Sequence, residues 1–499
     1  MPRPRRMVSS RPMPNTVIIG GGPAGLTAAY ELAKHGEPST VLEANPDHVG
    51  GIARTEHYKG YHFDIGGHRF FSKTREIEDL WTEILGDQML VRGRLSRIYY
   101  RKKFYDYPLK AFNVVKNLGI VNVFLAMMSY LWARIRPIKN ARSFEDWTIN
   151  SFGNRLYRTF FKTYTEKVWG IPCSEISADW AAQRIKGLSM MSLLKATLLP
   201  KKKGPRDRVI KTLIEQFRYP VHGPGEMWEV CTEHVRGLGS RVEMGVSVKT
   251  LMRGASGVKS VVGIRDGARV EYEGTHFLSS MPVRELVQSF DPPAPSNVIV
   301  AGKSLKYRDF LTVALIIDDP DLFPDNWIYV HDPSVRLGRV QNFKNWSPSM
   351  VPDQRFSCLG LEYFVNEGDE IWSLPDQDLI ELAKREIGQV GLIDPGKVTD
   401  GRVVRIKKAY PVYDDEYADH VAVVRKFIET EVPNLQLIGR NGMHKYNNQD
   451  HAMMTGLLAA RNIMGGHFDV WKVNSDAEYQ EVGEVQDSAR AIPKPLKSA

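Results

Sequence analysis

Short, wholly apolar runs alternate with longer segments of helical periodicity along this chain. Thr16-Val-Ile-Ile-Gly20 is a continuous apolar run of strand length, the pattern of a strand buried on both faces. Residues 26–36 then carry apolar side chains at helical spacing and close on Gly36. Thr40-Val-Leu-Glu43 is a second short strand that ends in an acid. Strand, helix and strand together predict a βαβ unit and hence an α/β fold with a Rossmann-like domain. Residues 74–215 read as mostly helical and are rich in aromatic and basic residues. Between 216 and 290 the pattern predicts a helix over 227–236, a strand over 241–248 and a hairpin turning at Asp266-Gly267. Strands are predicted over 310–317 and 358–364, and a helix over 376–390. Residues 435–439 repeat the buried-strand pattern, and a helix follows over 450–463.

One segment is apolar without being amphipathic. Residues 118–133 are nearly all hydrophobic and are flanked by Lys110, Lys116, Arg134 and Arg136. Sixteen residues fall short of the roughly 20 that a spanning helix needs. Burial as a core helix is the expectation; lying along a membrane surface is the alternative. The basic stretch Lys201-Lys-Lys-Gly-Pro-Arg-Asp-Arg208 reads as a solvated loop that would also suit anionic lipid.

Length and charge add limits. A chain of 499 residues exceeds one simple core, so two or three domains are expected. Apolar residues at 42% and charged residues at 25% are ordinary for a soluble globular protein. The net charge of +9 favours anionic partners such as phosphates, and no nucleic-acid reader motif accompanies it. Cys173, Cys231 and Cys358 are far apart and form no CxxC pair, which argues against a metal centre or disulfide framework and suits a reducing cytoplasm. The divisions expected are a disordered basic arm (1–14), nucleotide-binding parts at 15–73, 216–290 and 431–470, a mostly helical substrate domain at 74–215, a mixed-sheet substrate domain at 291–430, and a tail at 471–499.

The chemistry concentrates in two glycine loops. Gly20-x-Gly22-x-x-Gly25 lies between strand and helix, with Glu43 eighteen residues past its last glycine. In that context the glycines let backbone approach a pyrophosphate at the helix N-terminus, and the acid meets ribose hydroxyls. The second loop is Phe63-Asp-Ile-Gly66-Gly67-His68, where two glycines precede an imidazole. Such a loop lets backbone approach a flat group closely. No second GxGxxG is present, so no separate nicotinamide domain is expected.

The fingerprint, Glu43, Val49-Gly-Gly51-Ile-Ala-Arg54 and the late Gly439-Arg440 resemble the large FAD-binding group of amine oxidases, protoporphyrinogen oxidases, phytoene desaturases and UDP-galactopyranose mutases. Further landmarks resemble the mutase branch, in the same order over nearly the whole chain. They are the Gly66-Gly67-His68 loop, Tyr107-Pro-Leu, Trp180 with Arg184, Trp327-Ile-Tyr329, Arg339, Tyr410-Pro411 and Lys445-Tyr446-Asn-Asn448-Gln449. The wording of the chain also resembles bacterial flavoproteins described as protoporphyrinogen-oxidase-like.

The resemblance implies a discontinuous FAD-binding domain of the glutathione-reductase-2 type, with a helical insertion and a mixed-sheet substrate domain. It implies that Gly20, Gly22, Gly25, Glu43, Gly51, Arg54, Gly66, Gly67, His68, Val248, Gly439, Arg440, Asn448 and Gln449 hold FAD. It implies an enzyme in which reduced flavin attacks the anomeric carbon of a nucleotide diphosphate sugar, interconverting pyranose and furanose rings with no net redox change. Arg184 and Arg339 would grip the diphosphate, since each guanidinium is permanently charged and binds phosphate bidentately. Tyr329, Tyr410 and Tyr446 would donate to the same phosphates. Tyr107, Trp180, Trp327 and Asn448 complete the substrate set, and His68 would shape the flavin's surroundings. NAD(P)H could serve as external reductant. The alternative is an FAD-dependent oxidase or dehydrogenase acting on a hydrophobic or amine substrate, although no lysine is evident that would bridge water to the flavin. The expected location is cytoplasmic, with peripheral membrane contact through residues 118–133 as the second reading.

Overall fold

The computed structural model describes residues 15–107, 109–178, 180 and 216–474. Arg184, the basic stretch at 201–208, the N-terminal arm and the tail beyond residue 474 lie outside the described residues.

Three distant stretches of chain meet in one five-stranded parallel sheet, ordered Leu435–Leu437, His276–Ser279, Thr16–Ile19, Ser39–Leu42 and Arg241–Glu243. The strands Thr16–Ile19 and Ser39–Leu42 are buried at every position, as continuous apolar runs in a covered parallel sheet must be. The helix Pro23–Lys34 packs against two others, Pro224–Gly237 and Gln449–Ile463. The hairpin at Asp266-Gly267 joins Gly257–Arg265 to Ala268–Glu273, in a separate four-stranded sheet.

A seven-stranded sheet forms the second layer. Its order is Val398–Pro411, Tyr307–Ile317, Ser357–Val365, Arg339–Asn342, Trp327–Val330, Ser96–Tyr100 and Lys103–Asp106. All its pairs are antiparallel except Trp327–Val330 with Ser96–Tyr100. Side chains alternate across a strand. Thus Leu311, Val313, Leu315 and Ile317 face the helix Asp376–Val390, while Phe310, Ala314 and Ile316 pack with Phe63, Ile65 and Trp327 on the side of the Gly66–His68 loop.

Three expectations change. Residues 89–106, predicted to be helical, form the strands Met89–Gly93, Ser96–Tyr100 and Lys103–Asp106. The single strand predicted over 241–248 is broken: Arg241–Glu243 belongs to the parallel sheet and Ser247–Gly254 to the four-stranded one. Gly245, with φ of 71°, makes the turn between them. The apolar segment at 118–133 forms the helix Ile120–Ile135, bent by 113° from its neighbour at Gly119, but it is not a core helix. Only Ala126, Tyr130 and Ala133 are buried, and its large apolar side chains are exposed. Among the described residues no single helix is long and apolar enough to cross a membrane.

Candidate functional site

The first glycine loop has the shape of a phosphate cradle. A Cβ at Gly25 would lie 2.0 Å from the carbonyl oxygen of Gly20, so only glycine lets the helix start this close to the strand. Pro23, in the first turn of the helix Pro23–Lys34, has no N–H and a fixed φ suited to a helix start. The Gly21 N–H donates to Glu43 Oε2 at 2.8 Å, and the Asn45 N–H donates to Glu43 Oε1 at 2.8 Å. Burial raises the Glu43 pKa, while those backbone donors and Arg54 oppose the rise. Gly51 faces Gly22 across the loop. Arg54 donates from Nη1 to the Gly51 carbonyl at 3.3 Å and pairs through Nε with Glu56 at 2.7 Å. Val248 follows Val246, whose N–H donates to the Glu43 carbonyl at 2.8 Å. Gly439, with φ of 77°, donates its N–H to Thr455 Oγ1 at 2.8 Å. A glycine turn between strand and helix with an acid beside it is the arrangement that fits a dinucleotide.

A cavity of about 140 Å³ lies beside the second glycine loop, with one wall from the seven-stranded sheet. Gly67, His68 and Arg69 come from the second glycine loop, Trp327, Tyr329, Arg339 and Gln341 from the seven-stranded sheet, and Tyr446, Asn448, Gln449 and Asp450 from the last loop and helix. The Gly66–Gly67 backbone is open: a Cβ at Gly66, where φ is 83°, would meet nothing nearer than His68 Nε2 at 3.8 Å and Arg339 Nη2 at 3.9 Å. Both amide atoms of Gln449 and the Gln341 carbonyl oxygen are buried with no hydrogen-bond partner among the described residues. Buried polar atoms are normally satisfied, so these fit a polar ligand edge in the cavity.

Two residues define the electrostatics. His68 Nε2 lies 2.8 Å from the Ile65 carbonyl oxygen and therefore donates to it. Burial, with Arg440 and Arg339 adding repulsion, pushes the His68 pKa down to about 4, so the ring is neutral at neutral pH. Arg339 is held through Nε by Glu362, which is fully buried and also accepts from Gln341 Nε2. Burial disfavours the guanidinium charge, but Glu362 and the surrounding tyrosines outweigh it and keep Arg339 protonated. Anchoring at Nε leaves the terminal nitrogens as a fixed fork.

Aromatic rings surround this pair. Tyr410 and Tyr446 stack with centroids 5.7 Å apart and planes 15° from parallel. The Arg440 guanidinium lies over both rings, at 5.4 and 5.0 Å, and donates to the Asn447 and Ala409 carbonyls. Tyr329 makes edge contacts with Tyr107 at 5.0 Å and Tyr164 at 5.7 Å. Asn448 caps the helix Gln449–Ile463. Trp180 stands one layer out, edge-on to Trp169 at 5.1 Å.

Sequence reasoning missed four members. Arg69 directly follows the Gly66–His68 motif and could have been read from it. Glu362, Tyr164 and Trp169 carry no local signal: Glu362 meets the site through its register with Arg339, and Tyr164 and Trp169 through the packing of the helix Thr163–Trp169 against it.

Comparison with known proteins agrees with this geometry. Residues 18–84 match the family model for an NAD(P)-binding Rossmann-like domain. Coproporphyrinogen III oxidase of Mycobacterium tuberculosis is 35% identical over 95 residues, 18% of this chain and 21% of that protein. The match thus spans about a fifth of that relative. A crystal structure of reduced UDP-galactopyranose mutase superposes with a TM-score of 0.79 at 20% identity, covering 93% of this chain and 98% of the other. Putrescine oxidase bound to putrescine superposes with a TM-score of 0.60 at 18% identity, covering 91% and 99%. At these identities the likeness is one of fold: a Rossmann-like dinucleotide-binding domain joined to a mixed-sheet domain, the architecture that the mutase and the oxidase have in common.

Proposed function

We propose that this protein binds FAD and acts as a redox-neutral sugar mutase on a nucleotide diphosphate sugar. The observation that carries this reading is Arg339, pinned by buried Glu362 so that its terminal nitrogens face the Gly66–His68 loop beside Tyr329 and Tyr446. When bound in its reduced form, FAD would supply the nucleophile. The chain's own residues would manage the leaving group. Arg339 and Arg69 would hold the departing diphosphate, Tyr329, Tyr410 and Tyr446 would donate phenolic hydrogen bonds to it, and the surrounding rings would exclude water. A fixed cation placed where charge develops costs little reorganisation during reaction. Neutral His68 would orient the loop rather than accept a proton. Arg184, expected from the sequence to grip the same diphosphate, would be a third arginine in this scheme and lies outside the described residues.

The test is to reduce the protein with dithionite under anaerobic conditions and supply UDP-galactofuranose and other nucleotide furanoses. Pyranose product should accumulate, and Arg339→Lys should slow turnover by about 10²–10³-fold, the usual effect of losing one such donor. Absence of pyranose product from every nucleotide sugar tried would overturn the reading.

The near-parallel Tyr410 and Tyr446 rings favour a second reading, an oxidase with an aromatic wall for an apolar or amine substrate. Hydrogen peroxide release on adding such a substrate to the oxidised protein would select it.

A further inference from the structure

We propose that the bent helix pair Ala111–Leu118 and Ile120–Ile135 docks this protein onto the surface of an anionic bilayer. The inference is independent of the substrate. Eleven of the sixteen exposed large apolar side chains among the described residues fall between 112 and 138. They include Phe112 at 80% exposure, Ile120 at 76% and Ile135 at 74%, with Val121, Phe124 and Trp132 between. A soluble helix buries its large apolar residues, and this one does the reverse. Its inward face holds Ala126, Tyr130 and Ala133, and its outward face holds the aromatic and branched side chains. A continuous exposed patch of this kind marks an interaction surface.

Charge selects the occupant. Residues 107–144 contain six lysines and arginines and no aspartate or glutamate. Arg134, Arg136 and Lys139 are exposed at the end of the apolar helix, with the Arg136 guanidinium 4.8 Å from the Trp132 ring centroid. Beside the helix lies a cleft of about 410 Å³ whose lining includes Arg101, Lys103, Arg155 and Arg158 and, among the described residues, no carboxylate. Arg155 Nη2 donates to Asn122 Oδ1 at 2.7 Å and Arg158 Nε to Asn154 Oδ1 at 3.1 Å, both neutral acceptors. An apolar face with a basic rim fits acyl chains beside phosphate headgroups and would repel a second copy of itself. The 113° bend and the length of the helices fit a chain lying in the interface rather than crossing it.

The experiment floats the full-length, FAD-loaded protein with vesicles of phosphatidylcholine alone or mixed with phosphatidylglycerol. Binding is expected only with the anionic mixture, and salt should weaken it. Phe124→Glu with Trp132→Glu should reduce partitioning by about tenfold or more, while flavin absorbance, read in the same sample, reports that the fold survives. Arg155→Ala with Arg158→Ala should lower the preference for the anionic vesicles. Three results would overturn the proposal: no flotation with either vesicle, reversible self-association that consumes the face, or protection of Trp132 from oxidative footprinting in the vesicle-free monomer. The last would mean that another part of the chain covers it.

Discussion

Asp64 shows how the Gly66–His68 loop is held from behind. It precedes Ile65 and Gly66, is fully buried, and accepts hydrogen bonds from the Tyr219 hydroxyl and from Thr55 Oγ1, the latter at 3.1 Å. Burial pushes its pKa up to about 8, against those two donors, with Glu362 adding to the rise. The folded protein therefore binds this proton more tightly than the unfolded chain does. The stabilisation is complete below the ordinary carboxylate pKa and is lost as pH rises through about 8. Asp64→Asn should remove this dependence. Wild-type stability should fall by about 1 kcal/mol more than the variant's between pH 7 and 9, read as thermal midpoints of the two proteins across that range. Equal slopes would show that Asp64 ionises normally. At this scale the sequence is legible where backbone demands a residue type. Gly66 and Gly67 before His68 declare a close approach, and Arg69 follows within the same loop. Glu362 is not legible, because an acid inside an apolar strand acquires its role only when the sheet sets Arg339 opposite it.

Between elements, the tightest join is the crossing of the helices Pro23–Lys34 and Gln449–Ile463. A Cβ at Gly456 would lie 2.0 Å from the Ala24 carbonyl oxygen, and the first helix starts at the glycine cradle itself. Gly456→Ala must push the helices apart or bend one, a cost of about 1–3 kcal/mol for overpacking. The displacement falls on Ala24 and so on the Gly20–Gly25 turn. The variant should lose FAD affinity as well as stability, measured by titrating the deflavinated protein, whereas the solvent-open Gly237→Ala should change neither. A variant at Gly456 that retained wild-type affinity would show that the crossing and the cradle are uncoupled. Periodicity read several elements well. The helix expected over 376–390 is observed as Asp376–Val390, and the strand expected over 358–364 lies within Ser357–Val365. It failed at 89–106, where Met89–Gly93, Ser96–Tyr100 and Lys103–Asp106 are too short and too basic for their alternation to stand out. The exposure of Ile120–Ile135 was illegible for another reason: an apolar run states that water is avoided, not which neighbour replaces it.

Taken whole, two large sheets dominate the described residues, the cavity lies against the seven-stranded one, and polar links join the two layers. Lys59 reaches Asp400 at 2.6 Å, Arg92 Nε donates to the Trp346 carbonyl at 2.8 Å, and Arg440 Nη1 donates to the Ala409 carbonyl at 3.1 Å. The Lys59–Asp400 pair is solvent-accessible, and exposed ion pairs stabilise little. The flavin we propose would run from the Gly20–Gly25 cradle to Gly66–His68 and touch Trp327, Arg339 and Gln341 of the other sheet. A ligand that contacts both layers stabilises the native arrangement by mass action, by about 4 kcal/mol when present at a thousand times its dissociation constant. Removal of FAD should then do more than lower one melting temperature. The five-stranded sheet loses the occupant of its groove, while the seven-stranded sheet keeps its own core around Leu311, Val313, Leu379 and Ile387. Calorimetry should show one transition for the flavin-loaded protein and two for the deflavinated one, the lower belonging to the nucleotide-binding layer. Re-adding FAD should merge them. Adenosine diphosphate, which can fill the cradle without reaching Arg339, should raise the lower transition and leave the two separate. A single transition that merely shifts with FAD would show that the sheets are coupled through their own interface and that the cofactor is only a passenger in it.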